Sequence, residues 1–188
     1  MPNEPPKFVG RAGDKLDAAL TAFAIDVGGW TCADFGCNVG GFTHCLLSRG
    51  AARVYAVDTG YGALAWTLRQ DGRVVVMERT NALHAEPPEP VDLVAIDVAW
   101  TPQKLIVPAA RKWLKPGGMI VSLLKPHYEL AKLQGKKPRD PLTAEQSAEV
   151  VQEVSRQLAE LGCGVHAVLP STVIGKGGNT EYLLLIRS

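Results

Sequence analysis

Hydrophobic positions along the chain follow two alternating rhythms. Short runs rich in Val, Ile, Leu and aromatic residues have the length and apolar continuity of buried strands: 30–35 (WTCADF), 53–58 (RVYAVD), 73–78 (RVVVME), 91–97 (VDLVAID), 119–125 (MIVSLLK), 164–169 (GVHAVL) and 181–187 (EYLLLIR). Between most of them lie stretches with apolar residues at helical spacing, 41–49, 61–70, 103–114 and 143–161. Such alternation predicts an α/β fold: a seven-stranded, mostly parallel sheet with helices on both faces. Only PSTVIGKGGNT separates the last two strands, too little for a crossover helix. They are expected to pair antiparallel and to end the sheet in a hairpin.

Ahead of the first strand, RAGDKLDAALTAFAID repeats Leu16, Ala19, Leu20 and Phe23 at helical spacing. A helix over about 13–24 follows, capped by Gly13 or Asp14 with Asp17 in its first turn. Lys15 then stands at the positive end of the helix dipole, an unfavourable place for a cation. A second lysine is equally out of place. In SLLKPHY, Lys125 ends a buried strand against Pro126, and an amine at the rim of an apolar sheet is costly unless paired or used.

The length of 188 residues and 46% hydrophobic content suit one domain spanning 1–188. No apolar run reaches the roughly 20 residues that cross a bilayer, and MPNEPPKFVG lacks an apolar signal core. A cytoplasmic protein without a membrane partner is expected. Cys32, Cys37, Cys45 and Cys163 form no C-x-x-C pair, so buried reduced thiols are expected rather than a metal site. The net charge of +1 conceals an asymmetry. Between Trp100 and Arg139 nine Lys or Arg face only Glu129, a local excess of eight positive charges that would suit a phosphate backbone.

The chemistry concentrates after the first strand, in ADFGCNVGGFTHC. Gly36, Gly40 and Gly41 would let backbone approach a ligand, and the helix start at 41–43 offers free N–H groups. The spacing G-x-x-x-G-G is not the dinucleotide fingerprint. Asp58, about twenty residues beyond the glycines, stands where an acid can bind both hydroxyls of an adenosine ribose. The segment VIGKGGN lacks the first glycine and the Ser or Thr of a phosphate loop and is not read as one.

These segments, followed by RTN, AIDVAW, LLKPHYE and GNTEYLLLI, resemble the TlyA branch of the FtsJ-like (RrmJ-like) RNA methyltransferases from about Phe8 onward. The resemblance implies a Rossmann-like class I methyltransferase fold with an antiparallel last strand. It also implies S-adenosylmethionine as cofactor and methyl transfer to ribose 2′-hydroxyls of ribosomal RNA. Asn38, Phe42 and Asn81 join the expected cofactor set. The family's Lys, Asp, Lys, Glu tetrad is matched by Lys15 in GDKL, Asp97 in AIDV, Lys125 in LLKP and Glu181 in NTEY. The topology supports the grouping: Asp97 and Lys125 end parallel strands and Glu181 begins the antiparallel one, so these three share a sheet edge.

Arg11, Lys132, Lys136, Lys137 and Arg139 are candidates to hold RNA phosphates, and Trp100, His127 and Tyr128 to stack on bases. PHYELAKLQGKKPRDP is expected to be a mobile substrate loop. The chain departs from the family at Cys37-Asn38-Val39, at His44 where an acid is usual, and at Trp100 where Phe is usual. It also has no room before Lys15 for the family's S4-like RNA-binding domain. Competing readings are a non-catalytic RNA-binding or ribosome-assembly factor, a protein of the haemolysin-named kind, and a small-molecule methyltransferase.

Overall fold

The computed structural model describes residues 7–135 and 141–187. Among these, β1 (Thr31–Phe35), β2 (Arg53–Val57), β3 (Val74–Met77), β4 (Val91–Ile96), β5 (Leu114–Leu124), β6 (Val165–Pro170) and β7 (Tyr182–Arg187) form one sheet. Its order is β3-β2-β1-β4-β5-β7-β6. The first five strands run parallel, and β7 is antiparallel to both β5 and β6. The expected hairpin therefore folds back with β7 inserted beside β5, which leaves β6 at the edge.

Because β1, β4 and β5 are buried on both faces, the sheet separates two apolar layers. On one face α1 (Ala12–Ala22) and α2 (Gly41–Ser48) contribute Leu16, Ala19, Leu20, Cys45 and Leu46. On the other, α4 (Gln103–Arg111) and α6 (Ala144–Glu160) contribute Ile106, Val107, Ala110, Val150, Val154 and Leu158. Helix α6 begins at a capping box in which Thr143 and Gln146 bond each other's backbone N–H. All four cysteines are free and buried.

Several local expectations are corrected. The stretch 61–70 is helical only over α3 (Trp66–Arg69). The first turn of α1 carries Asp14, its N-cap is Arg11 without a side-chain cap, and Asp17 lies a turn later, paired with Lys7 and Arg49. The helix expected to 114 stops at Arg111, and β5 starts at Leu114, five residues early. Pro116, Gly117 and Gly118, residue types common in turns, sit at a register shift between β4 and β5, with Gly117 at φ 78°. The expected substrate loop begins as α5 (Pro126–Gln134). Proline suits the first helical position because the N–H it lacks would have no intrahelical partner, and Gly135 ends the helix at φ 72°.

The basic segment is not a single surface. Arg111 donates to the carbonyl of Gly162 and Lys115 is paired with Asp92, whereas Lys125 lies beyond the other end of β5. Ten residues of strand at about 3.3 Å each separate Lys115 from Lys125 by roughly 30 Å. Lys136, Lys137 and Arg139 lie outside the described residues.

Candidate active site

At the C-terminal edge of the sheet the chain reverses order around β1, with β2 on one side and β4 on the other. Open α/β sheets bind ligands at such a switch point because the connections leave in opposite directions and open a crevice. Two cavities lie here. One, of about 430 Å³, is lined by Val57, Asp58, Thr59, Gly60, Thr80, Asn81, Thr101 and Ile106, among others. The other, of about 390 Å³, is lined by Arg11, Lys15, Lys125, His127, Tyr128, Val173, Ile174 and Glu181. Among the described residues, Gly36, Asn38, Asp97 and Ala99 line both.

All four tetrad candidates line the second cavity, and they come as two ion pairs. Lys125 is the N-cap of α5; its Nζ donates to Asp97 Oδ1 at 2.5 Å and to the carbonyl of Val98 at 3.4 Å. Asp97 directly follows β4, and its N–H donates to Phe35 O. Lys15 donates to Glu181, 166 residues away in the chain, and both are buried. The helix that placed Lys15 awkwardly thus holds it against a carboxylate. Breaking either pair by removing one partner would strand a charge with little water to solvate it.

In the loop after β1 each glycine can be assigned by what a side chain would strike. Gly36 has φ 85° and its missing Cβ would lie 2.5 Å from Asp97 O, so only glycine fits between the two cavities. Gly40 and Gly41 are different. A Cβ on Gly40 would strike Leu68 at 2.3 Å, and one on Gly41 would meet Ala12 and the N–H of Gly13 at 3.0 Å. These two let α3 and α1 pack on α2, and neither lines the large cavities. Phe42 likewise is a core residue, 2% exposed, reaching only a recess of about 50 Å³. Asp58 accepts from the N–H groups of Asn38 and Gly60, which ties β2 to the loop after β1. Asn38 adopts φ 46°, a conformation asparagine tolerates. Asn81 accepts from Leu83 N and lines the first cavity.

Arg11 stands on the wall of the second cavity, and Lys132 lines a narrow cleft beside it with Trp100, Tyr128 and Glu129. The Trp100 and Tyr128 rings lie 4.9 Å apart, tilted by 39°.

Two groups escaped the sequence reading. Asp34, inside β1, is fully buried; its Oδ2 accepts from both the N–H and the hydroxyl of Thr43, fixing the start of α2. Oδ1 has no hydrogen-bond partner among the described residues. Burial pushes this carboxyl up to about 7, the Thr43 hydrogen bonds oppose the shift, and the charges of Asp97 and Asp58 add to it. It lines the 50 Å³ recess, which shares Gly36, Asn38 and Asp97 with both large cavities. A lone acid in an apolar strand immediately before a glycine loop was its signal. The second group is a relay: Ser122 donates to Gln103 Oε1, Gln103 Nε2 to Leu123 O, and Gln103 N–H to Glu129 Oε1. It ties α5, and with it Lys125, to the start of α4.

A family model described as FtsJ-like methyltransferase matches residues 8–188. The chain is 43% identical over 187 residues to the 16S/23S rRNA (cytidine-2'-O)-methyltransferase TlyA of Mycobacterium tuberculosis, covering 96% of this chain and 69% of that protein. Among solved structures, one from Streptococcus thermophilus described as a hemolysin superposes with a TM-score of 0.89 at 33% identity, covering 99% of this chain and 69% of that one. An S-adenosylmethionine dependent methyltransferase from Mesorhizobium loti shares the fold at a TM-score of 0.61 and 16% identity, covering 91% of this chain and 96% of that one.

Proposed function

Because the chain belongs to the FtsJ-like methyltransferase family, we propose that residues 8–188 act as one methyltransferase domain. It transfers a methyl group from S-adenosylmethionine to a ribose 2′-hydroxyl of ribosomal RNA, in the cytoplasm where that RNA resides. The observation that carries the reading is the Lys125–Asp97 pair at the junction of two cavities. The first is sized and lined for a nucleoside, the second opens beside the basic side chains Arg11 and Lys15.

The residues present fit the cofactor. The bare Gly36 leaves room at the junction, and the partnerless Asp34 oxygen suits the cofactor's ammonium group directly or through one water. Asp58 keeps lone pairs for ribose hydroxyls beside the two N–H groups it already accepts. When bound there, S-adenosylmethionine supplies an electrophilic methyl group on a positively charged sulfur. In the second cavity the ribose hydroxyl needs orientation and a proton acceptor. Lys125 supplies both once it has given up a proton of its own: in the neutral amine two N–H bonds go to Asp97 Oδ1 and Val98 O, and the lone pair serves the hydroxyl. If the hydroxyl oxygen took the methyl group as its bond to sulfur broke and left a neutral thioether, the hydroxyl proton would pass to that amine and Asp97 would stabilise the cation formed. Lys15 and Glu181, paired on the lining of the same cavity, hold the acceptor ribose in line.

Recognition of the RNA rests in this reading on Arg11, Lys132, Trp100 and Tyr128 around the acceptor cavity, with Lys136, Lys137 and Arg139 as further candidates from the sequence. The test is transfer of a labelled methyl group to ribosomal RNA, followed by mapping of the modified nucleotides. Label on ribose, lost in Lys125→Ala and in Lys125→Arg, is expected; arginine can keep the pair with Asp97 but does not give up a proton to become an acceptor. Full activity in either variant, or label on a base, would overturn the reading.

A further inference from the structure

The glycine-rich segment rejected as a phosphate loop has another role. It joins β6 to β7, and Val173, Ile174 and Gly175 line the acceptor cavity with Glu181. Its glycines fall into two kinds. Gly177 and Gly178 lie at φ 80°, where glycine is needed for the backbone itself. Gly175 has φ −68° and ψ 170°, an ordinary extended conformation open to any residue. What excludes a side chain there is space: a Cβ on Gly175 would lie 2.4 Å from Glu181 Oε1 and 2.8 Å from its Cδ.

The backbone at Gly175 is therefore packed on one oxygen of the carboxylate, while the other oxygen receives Lys15. The segment is in turn fixed: Gly175 N–H donates to Asn179 O, Gly178 N–H to Gly175 O, and the buried Asn179 side chain accepts from Leu142 N–H ahead of α6. We infer that Gly175 is a positioning residue, whose bare backbone forms the wall that holds the Glu181 carboxylate against Lys15. The inference rests on the assignment of Glu181 to the acceptor site, and its test separates the two.

In Gly175→Ala the backbone is unstrained and the atom struck is the end of a flexible side chain, so the fold persists and the carboxylate yields. The turnover number kcat with ribosomal RNA is expected to fall about 100-fold, the size of effect of a misplacement near 1 Å. Affinity for S-adenosylmethionine stays at the wild-type value. In a Glu181→Asp background, where the shorter side chain leaves room for the methyl group, adding Gly175→Ala costs less than about threefold. Gly177→Ala, strained but 3.8 Å from its nearest neighbour Asn179, lowers Tm by a few degrees without this loss.

A readout independent of activity is the side-chain ¹⁵N signal of Lys15 in lysine-labelled protein. Gly175→Ala should move it in the direction Glu181→Gln does, and Gly177→Ala should leave it in place. An unmoved signal in Gly175→Ala, or equal losses of kcat in both backgrounds, would overturn the inference. Should Gly175→Ala fail to fold, the double variant regains the Tm of Glu181→Asp; a Tm that stays low overturns it too. If the wild-type protein leaves ribose unmethylated, the functional reading fails while the Lys15 signal still decides the role of Gly175.

Discussion

The neighbouring strands β4 and β5 carry a lysine–aspartate pair at each end. At their start Asp92 accepts from Lys115 and also from the N–H of Thr31, which stitches three strands together. Beyond their finish Asp97 accepts from Lys125. In sequence the two pairs differ little; in space their settings differ sharply. The Lys115 side chain is 44% exposed and that of Lys125 14%. The first pair faces water at the N-terminal edge, where the chain enters the sheet. The second lies at the edge where loops diverge, beside two cavities. Direction of the strand decides which pair is available for chemistry.

The sharpest way to break this comparison is to remove each lysine in turn. Lys125→Ala is expected to lower kcat by at least about 10³-fold, since proton transfer and orientation are lost together, with cofactor affinity kept. Lys115→Ala should change kcat by less than about twofold, measured with the same RNA. Comparable losses in the two variants would mean that the pairs are both structural.

Glycines at the two edges offer the next contrast. Gly36→Ala sets a methyl group 2.5 Å from Asp97 O and should weaken S-adenosylmethionine binding at least about tenfold by calorimetry. Gly117→Ala has φ 78° but nothing within 4 Å. It should cost only the strain of the left-handed backbone, about 1–2 kcal/mol, and leave binding unchanged.

A third test concerns Asp34, on β1 near the C-terminal edge of the sheet. Its carboxyl in the folded protein titrates near 7, against 3.8 as a free side chain. The folded state thus holds a proton that the unfolded state has released between these values, and stability falls as pH rises through the window, by up to a few kcal/mol on the order of the shift. Asp34→Asn should flatten that slope in denaturant titrations. Binding of the cofactor's ammonium requires the carboxylate, so affinity should rise as pH rises through about 7 and weaken toward 5. A flat affinity profile would remove Asp34 from the site.

The smallest effect belongs to Asp92→Asn. A partly exposed pair and one backbone hydrogen bond together contribute about 1 kcal/mol, a Tm decrease of a few degrees with kcat unchanged.

Much of this arrangement is legible in the sequence. The strand boundaries followed from apolar runs to within a residue or two, except for β5, where Pro116–Gly118 imitate a turn but occupy a register shift. Helix α5 was hidden because PHYELAKLQ is short and runs into polar GKKPRDP, leaving only its opening proline as a signal. Residue types at the site were readable from motif and topology. Their division into two ion pairs was not, because Lys15 and Glu181 meet only after the whole sheet has closed. The glycines show the limit most plainly: sequence gives their positions but not what their missing side chains would strike. Gly36 meets the neighbouring loop, Gly40 meets Leu68, and Gly175 meets Glu181.

The narrow seam between the cavities has a consequence for molecules other than the natural substrates. Since both cavities are lined by Gly36, Asn38, Asp97 and Ala99, a nucleoside fragment in one and a ribose fragment in the other could be joined by a tether passing Asp97. Each fragment would then experience the other's pocket at an effective concentration in the millimolar range or above. Two weak binders would gain avidity without any new contact, and selectivity would come from the one geometry in which both pockets are reached at once.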